Sequence, residues 1–173
     1  AKAQLKVLKS STTQLIANDA VHLFLKITDN EPVDSIPSGL KQLAKAELLS
    51  YQNKNEEALA ELENLFTNKE ILVNGLIPSE VIYDDVLFFQ AKLFIKQKKY
   101  EAAILSLEKI IAADNQGFLT DDVYYQMAEL YNYNLNNIEK AQEYYQKIIF
   151  EHSSSIYLVE ARKKYRKLRG DTL

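Results

Sequence analysis

The second half of the chain contains the same sequence pattern twice, and this repeat limits the folds that the chain can adopt. Residues 84–94 align without a gap with residues 121–131, 37 positions later. Residues 100–111 align with residues 138–149, at an offset of 38. One extra residue therefore lies between the two halves of the second copy, in the Asn-rich turn of residues 134–137. Periods of this length are typical of stacked helical repeats, in which each helix pair buries its remaining apolar surface against the next pair.

Small residues stand at equivalent positions of both copies. Ala91 matches Ala128 in the first half of the unit, and Ala103 matches Ala141 in the second half. A small side chain lets a neighbouring helix approach closely, while larger side chains around it fill the space between the helices. The alternative is an irregular helical bundle in which the alignment arises by chance. The matched small and large positions favour the repeat.

The remainder of the chain also favours helix, because only four Gly and three Pro occur in 173 residues and strong helix formers are abundant. We therefore predict an all-α fold without a sheet, an α-solenoid of antiparallel helix pairs in one continuous domain. Its predicted segments are truncated, irregular N-terminal helices (1–37), a degenerate unit (38–68), a connecting insertion (69–79), two full units (80–114 and 118–153) and a capping helix (155–169).

Particular side chains mark the predicted helix boundaries. Ser79 is the expected N-cap of the first full unit, and Gly117 is expected to end that unit in a left-handed conformation. Pro32 and Pro37 place a loop in the N-terminal part, and the insertion is expected to pack over the core rather than to bind a partner. The helix before the proline loop, residues 14–28, is predicted to have one buried face, formed by Leu15, Ile16, Ala20, Leu23, Phe24 and Ile27.

These patterns resemble the tetratricopeptide repeat. Residues 96–104 are similar to the centre of that repeat, where a turn is followed by an aromatic residue and, three positions on, by a small alanine. The family's first helix carries a large residue, a hydrophobe, a small residue and an aromatic, here Tyr124, Met127, Ala128 and Tyr131, and in the other full unit Leu87, Gln90, Ala91 and Phe94. A third match, in residues 46–65, is weaker, and the family's proline after the second helix is absent from every copy. The resemblance implies a superhelical scaffold that binds proteins.

The C-terminal residues carry a second resemblance. Residues 151–171 are similar to the ends of tetratricopeptide proteins of the bacterial cell envelope, which usually have Tyr-Pro where this chain has Glu151-His152-Ser153. The resemblance implies a bacterial protein and favours the periplasm or cell envelope over the cytoplasm. The chain begins at Ala1 inside a helical pattern, so we expect it to be the C-terminal fragment of a longer repeat protein.

No recognisable catalytic or metal-binding motif is found. The absence of cysteine excludes disulfides, zinc–thiolate sites and thiol catalysis. His22 and His152 lie far apart, and neither has a second ligand at metal-binding spacing. Acidic pairs such as Asp84-Asp85 have a simpler role in the first turn of a helix, where they interact with its dipole. We therefore predict that the chain is not an enzyme and uses no cofactor and no metal ion.

The family resemblance places a partner-binding groove on the first helix of each unit, on residues that point away from the buried stripe. Exposed aromatic rings beside single charges suit an extended peptide or a partner's helix. The alternative is that Phe88 and Tyr125 pack between units. Lys92 and Glu129 are equivalent and opposite in charge, which favours a ligand with separated acidic and basic ends. The predicted groove residues are Leu43, Glu47, Ser50 and Tyr51 in the degenerate unit, Asp85, Phe88, Lys92 and Ile95 in the first full unit, and Asp122, Tyr125, Glu129, Asn132 and Tyr133 in the next.

The C-terminal helix supports a second hypothesis. Residues 160–173 contain six basic and two acidic residues, a net charge of +4 that leaves −7 for the rest of the chain. A basic helix on an acidic body is consistent with nucleic-acid binding, although only a few phosphates could be reached. The other interpretation is a solvated cap with one apolar stripe, formed by Leu158, Ala161, Tyr165 and Leu168. We therefore prefer protein binding over nucleic-acid binding. No membrane insertion is expected, because no apolar run approaches the length of about 20 residues that a membrane span needs.

Overall fold

The computed structural model describes residues 1–10, 14–29, 39–67 and 80–171, with no side chain described for residues 14, 15, 29, 80 and 81. Within this part of the chain the backbone forms nine α-helices and no β-strand, which confirms the all-α prediction. The helices are α1 (Lys2–Leu8), α2 (Gln14–Asp29), α3 (Leu40–Tyr51), α4 (Asn55–Thr67), α5 (Glu80–Lys96), α6 (Tyr100–Ala113), α7 (Thr120–Tyr133), α8 (Ile138–Glu151) and α9 (Leu158–Arg169).

The chain divides into two compact units, Ala1–Tyr83 and Asp84–Leu173. Helices α1 to α4 belong to the first unit and α6 to α9 to the second, while the boundary falls within α5. The predicted proline loop, the predicted N-cap Ser79 and the insertion of residues 69–79 lie outside the described residues. The single continuous domain that the sequence suggested stays a prediction.

In the first unit, α3 and α4 form a closely packed helix pair. Ala46 on α3 faces the pair's interior together with Ala58 and Leu62 on α4, and all three side chains are completely buried. The two alanines let α3 and α4 approach each other closely, as predicted for the degenerate unit. Helix α1 packs in turn against α2.

The apolar face predicted on α2 is only partly buried. Ala20 is buried, and Phe24 is half-buried beneath the Lys9 amine, which lies 4.2 Å from its ring centroid. Ile16 and Leu23 are exposed, 45% and 42% of their surface remaining accessible. The prediction is wrong for these two residues, because helical spacing identifies an apolar face but not how much of that face a neighbouring helix covers.

In the second unit, the small residues of the repeat are all buried. Ala91 and Ala128 on the first helices, and Ala103 and Ala141 on the second helices, are at most 1% exposed. Helix α7 packs against both α6 and α8, and α8 packs against α9. The matched positions that identified the repeat in the sequence are thus the positions buried between helices.

A polar side chain at an apolar position of the repeat is accommodated by a hydrogen bond. Gln90 on α5 stands where the second copy has Met127. The Ser106 hydroxyl on α6 is buried and lies 2.9 Å from Gln90 Oε1 and 3.2 Å from the Ala102 carbonyl oxygen. A polar group buried between helices without a partner is costly. The hydrogen bond between Ser106 and Gln90 gives each side chain a partner, which explains why the unit tolerates Gln90.

The turns that join α3 to α4, α5 to α6 and α7 to α8 each contain one residue with a positive φ angle. Asn53, Lys98 and Asn136 adopt positive φ angles of 62°, 59° and 51°, and each stands two residues before the start of the second helix. In the first two turns an amide N–H donates to the carbonyl five residues earlier, over 2.9 Å. This is the geometry of a left-handed helix C-cap, and the third turn keeps the positive φ angle.

The inserted residue of the last repeat lies in its turn. Three residues separate α3 from α4 and α5 from α6, whereas four separate α7 from α8. The longer turn closes with an additional hydrogen bond, in which the Asn137 N–H donates to the Tyr131 carbonyl over 2.8 Å. The position of the insertion agrees with the sequence alignment.

The end of α6 differs from the prediction. Gly117 is not left-handed, and the residue that follows the helix, Asp114, is extended with φ −152° and ψ 112°. The Asp114 carboxylate accepts a hydrogen bond from the Gln116 N–H over 2.8 Å, which stabilises the turn. A Cβ at position 117 would lie 3.0 Å from Asp114 Oδ2, so glycine provides space for the carboxylate rather than a left-handed turn.

Candidate partner-binding surface

The predicted groove residues of α7 occupy the side of the helix opposite the core. Helical geometry turns successive side chains by about 100°, so residues three and four apart share a face. Val123 and Met127 are buried, while Asp122, Tyr125 and Glu129 are half-buried. Partial exposure shows that a further element covers this face.

That element is α9, which contacts α7 through Lys164. The Lys164 amine donates to Glu129 Oε1 over 2.6 Å and to the Tyr125 hydroxyl over 3.1 Å. Burial alone would lower the pKa of Lys164, but the hydrogen bonds with Glu129 and Tyr125 outweigh burial and raise it. The lysine therefore keeps its charge at neutral pH and pairs with Glu129, whose side chain is 24% exposed.

The turn before α9 makes a second polar contact with α7. The Tyr157 hydroxyl donates to Asp122 Oδ1 over 2.6 Å, and its ring stacks on Tyr125 with centroids 4.2 Å apart and an angle of 13°. Tyr125 is therefore a packing residue in this unit, in contact with both Tyr157 and Lys164.

The tyrosine hydroxyls beside these carboxylates remain protonated. Burial raises the pKa of Tyr157 well above its usual value, and the hydrogen bond to Asp122 raises it further. Burial also raises the pKa of Tyr145, whose hydroxyl donates to Glu129 from the side of α8. Each hydroxyl consequently keeps its proton at neutral pH and donates a hydrogen bond to the neighbouring carboxylate.

The charge pattern predicted for the groove changes as a result. Glu129 accepts hydrogen bonds from Lys164 and from Tyr145, so its charge is compensated inside the unit. The expectation that Glu129 would attract the basic end of a ligand therefore has no support in this geometry. The missing information was the position of α9. From its sequence, the apolar contacts of this helix could be predicted but its polar contacts could not.

The equivalent residues of α5 have a different arrangement. Phe88 and Ile95 are half-buried, and the exposed Lys92 places its amine 4.4 Å from the centroid of the Phe88 ring. Asp85 is half-buried, and its backbone N–H donates a hydrogen bond to Asp84 Oδ1 over 2.8 Å. This part of the surface presents an aromatic ring beside an amine.

The last residues of α7 extend the exposed surface. Tyr133 is 61% exposed, and the Lys164 amine lies 5.4 Å from its ring centroid. Asn132 is half-buried and hydrogen-bonds the Tyr145 hydroxyl. Tyr133 is therefore the most accessible aromatic residue of the predicted groove in the second unit.

In the first unit, the predicted groove residues have three different environments. Leu43 and Ser50 are buried, Glu47 forms an ion pair with Lys26 of α2, and Tyr51 is 86% exposed. The prediction is wrong for Leu43 and Ser50, because both share the buried face of α3 with Ala46 at spacings of three and four residues. Within this unit only Tyr51 combines an aromatic ring with high exposure at a predicted position.

Tyr157 and Lys164 are the residues that sequence reasoning missed. Both lie on the same side of the C-terminal segment as the buried Ala161, four residues before it and three after it. This spacing indicates an inward direction for both side chains. The basic composition of α9 concealed the signal, since Lys164 is one of six basic residues in that segment.

The described residues contain no group of three or more His, Asp or Glu side chains close enough to hold a metal ion. Nor is any described helix both long and apolar enough to cross a bilayer.

Comparison with known families identifies the two full units. Residues 84–116 match a family model described as tetratricopeptide repeat, and residues 122–155 match a second model with the same description. Curated proteins and solved structures give no significant match. The matched segments correspond to α5–α6 and to α7–α8, so the helix pairs of the second unit are those of a tetratricopeptide-type solenoid.

Proposed function

We propose that this chain, in which two tetratricopeptide repeats follow one another, is a non-catalytic scaffold that binds a peptide or a partner protein along the first helices of those repeats. Tetratricopeptide repeats generally mediate interactions between proteins, and proteins built from them are typically not catalysts. The proposed surface comprises Phe88, Lys92 and Ile95 on α5, with Asn132 and Tyr133 on α7.

One observation carries this assignment. Two aromatic rings of the surface each lie beside a lysine amine, the half-buried Phe88 next to Lys92 and the exposed Tyr133 next to Lys164. Aromatic side chains bury a large area at a low entropic cost and are enriched where proteins bind one another. An extended peptide with apolar side chains suits these rings.

The ligand expected for this surface has acidic and apolar groups rather than separated charges. Glu129 is compensated by Lys164, and the amine of Lys92 lies on the exposed side of α5 beside the Phe88 ring. A carboxylate near Lys92 gains from electrostatic complementarity, mainly through a faster association rate.

Site-specific photo-cross-linking tests the proposal. A photoreactive phenylalanine analogue at position 133 should capture a partner, whereas the same analogue at position 118 should not. Phe118 is the matched control because it is completely exposed in the same unit but precedes α7. Mass spectrometry of the adduct identifies the peptide segment, which is then synthesised.

The affinity of that synthetic peptide gives the quantitative test. Substituting Phe88→Ala and Tyr133→Ala together should weaken binding by at least about tenfold, the usual effect of losing aromatic anchors. The control Phe118→Ala with Phe150→Ala removes two exposed aromatics elsewhere and should change the affinity by less than about twofold. Equal losses in both variants would place the binding site outside this surface.

The cell envelope of a bacterium is the location we propose, on the resemblance of residues 151–171 to envelope repeat proteins. Fractionation of cells that express the full-length protein provides the test. Recovery in the cytoplasmic fraction would contradict this location without affecting the binding surface.

A further inference from the structure

The outward face of α9 and of the turn before it combines exposed apolar and exposed basic side chains. Ile156 and Val159 are 85% and 77% exposed, and Arg162, Lys163 and Arg166 are exposed as well. Spacings of three, four and seven residues from Val159 place the three basic residues on one side of the helix. We call these five residues the basic face.

Helix stability explains only part of this composition. Basic residues in the last turn of a helix interact favourably with its dipole, which accounts for Arg166 and for Arg169, whose guanidinium also pairs with Asp171. Arg162 and Lys163 lie in the middle of α9, and within the described part of the chain neither forms an ion pair. Attachment of α9 uses the opposite side, so these two cations do not hold the helix in place.

Positive charge is concentrated on this helix. Residues 84–157 carry eleven acidic and seven basic side chains, whereas residues 158–171 carry two acidic and six basic ones. A segregated positive surface attracts an acidic partner and raises its rate of association. The complementary partner therefore carries negative charge.

We infer that the basic face docks an acidic amphipathic helix of a partner protein. The partner's apolar side chains would contact Ile156 and Val159, and its carboxylates would pair with Arg162, Lys163 and Arg166. Carboxylates four residues apart on a helix are about 6 Å apart along its axis, which matches the spacing of Arg162 and Arg166. Phosphates of a nucleic acid could pair with the cations but would leave the two apolar side chains in water, so the protein partner fits better.

Fluorescence anisotropy with two labelled probes tests this inference on the complete chain. The first probe is a synthetic helical peptide with two leucines and four glutamates on one face, and the second is a single-stranded oligodeoxynucleotide of about the same length and charge. Each titration is performed at about 50 and about 200 mM salt, since phosphate contacts weaken steeply over this range.

Charge reversal of Arg162, Lys163 and Arg166 to glutamate should weaken peptide binding at least about tenfold, from the loss of three exposed ion pairs. The control reverses the exposed lysines Lys6, Lys41 and Lys109, with the same change in net charge. It should leave the dissociation constant within about twofold, because those lysines lie on other helices.

Two further variants separate apolar contact from charge. Ile156→Ser with Val159→Ser should weaken peptide binding several-fold while leaving the oligonucleotide unaffected. If circular dichroism shows that the glutamate variant loses helicity, the same three residues are replaced by glutamine instead, which removes their charge without reversing it. The inference is overturned if the parent chain does not bind the peptide, if the lysine control loses as much affinity, or if the oligonucleotide binds more tightly than the peptide at the higher salt concentration.

Discussion

Replacing Lys164 by methionine should destabilise the second unit, because this amine connects α9 to α7. The methionine keeps an apolar stem of similar length but removes the hydrogen bonds to Glu129 and Tyr125, of 2.6 and 3.1 Å. A hydrogen bond to a charged group contributes about 1.5–3 kcal/mol and a neutral one about 1 kcal/mol. Water still reaches 24% of the Glu129 side chain, which offsets part of this loss. We expect a decrease of about 2 kcal/mol in the free energy of unfolding.

Urea denaturation followed by circular dichroism at neutral pH measures this change. A double-mutant cycle with Glu129→Gln isolates the ion pair, and a coupling free energy of about 1 kcal/mol or more is expected. A loss below about 0.5 kcal/mol in Lys164→Met would refute the reasoning, since that is the usual range for a surface substitution without structural contacts.

The pH dependence provides an independent check of the same contact. The pKa of Lys164 is raised in the folded chain, so its contribution is complete below the usual lysine value of about 10.4. The contribution is lost as the pH rises through the higher folded value. The difference in stability between the parent and Lys164→Met should therefore be constant from neutral pH to about pH 9 and should shrink above about pH 10.5.

Four further changes have defined outcomes. Ala103→Phe should cost about 1–3 kcal/mol, because the site is completely buried, while Ala112→Phe on the exposed side of α6 should be nearly neutral in the same urea titration. Lys98→Gly should stabilise the chain by about 0.5–1 kcal/mol, since position 98 has a φ of 59°; an unchanged or lower melting temperature would contradict this. Tyr157→Phe should make the free energy of unfolding fall less steeply between about pH 10 and 12. The pKa of Tyr157 is raised in the folded chain, so the unfolded chain releases this proton at a lower pH and the parent loses stability over this range. Deleting residues 154–173 should promote self-association, visible by light scattering, whereas a monomeric product with the parent's melting temperature would show that α9 does not protect α7 and α8.

The repeat made the core of the second unit predictable. Ala103 and Ala141 were assigned to helix contacts from a matched spacing alone, and both are completely buried. Spacing succeeds here because a helix has a fixed geometry, so a side chain's direction follows from its position in the sequence. The same reasoning failed for Leu43, where the weak third copy gave no reliable assignment of the buried face.

The candidate surface could be predicted less well than the core. Position along α7 identified Tyr125 and Glu129 as residues that point away from the core, but their partners come from residues 157 and 164. A contact between elements depends on where one helix crosses another, which a single sequence does not encode in any local pattern. Gly117 shows a related limit, because a glycine can provide either a left-handed backbone or space for a neighbouring atom.

The additional residue between α7 and α8 bears on how such a chain can change during evolution. An extra residue inside a helix would rotate every later side chain by about 100° and move the buried stripe to the surface. In the turn it leaves both helices in phase, and Ala128 and Ala141 remain buried on either side of it. Turns of this type therefore tolerate changes in length, so duplicated units can diverge in period while their helices continue to fit one another.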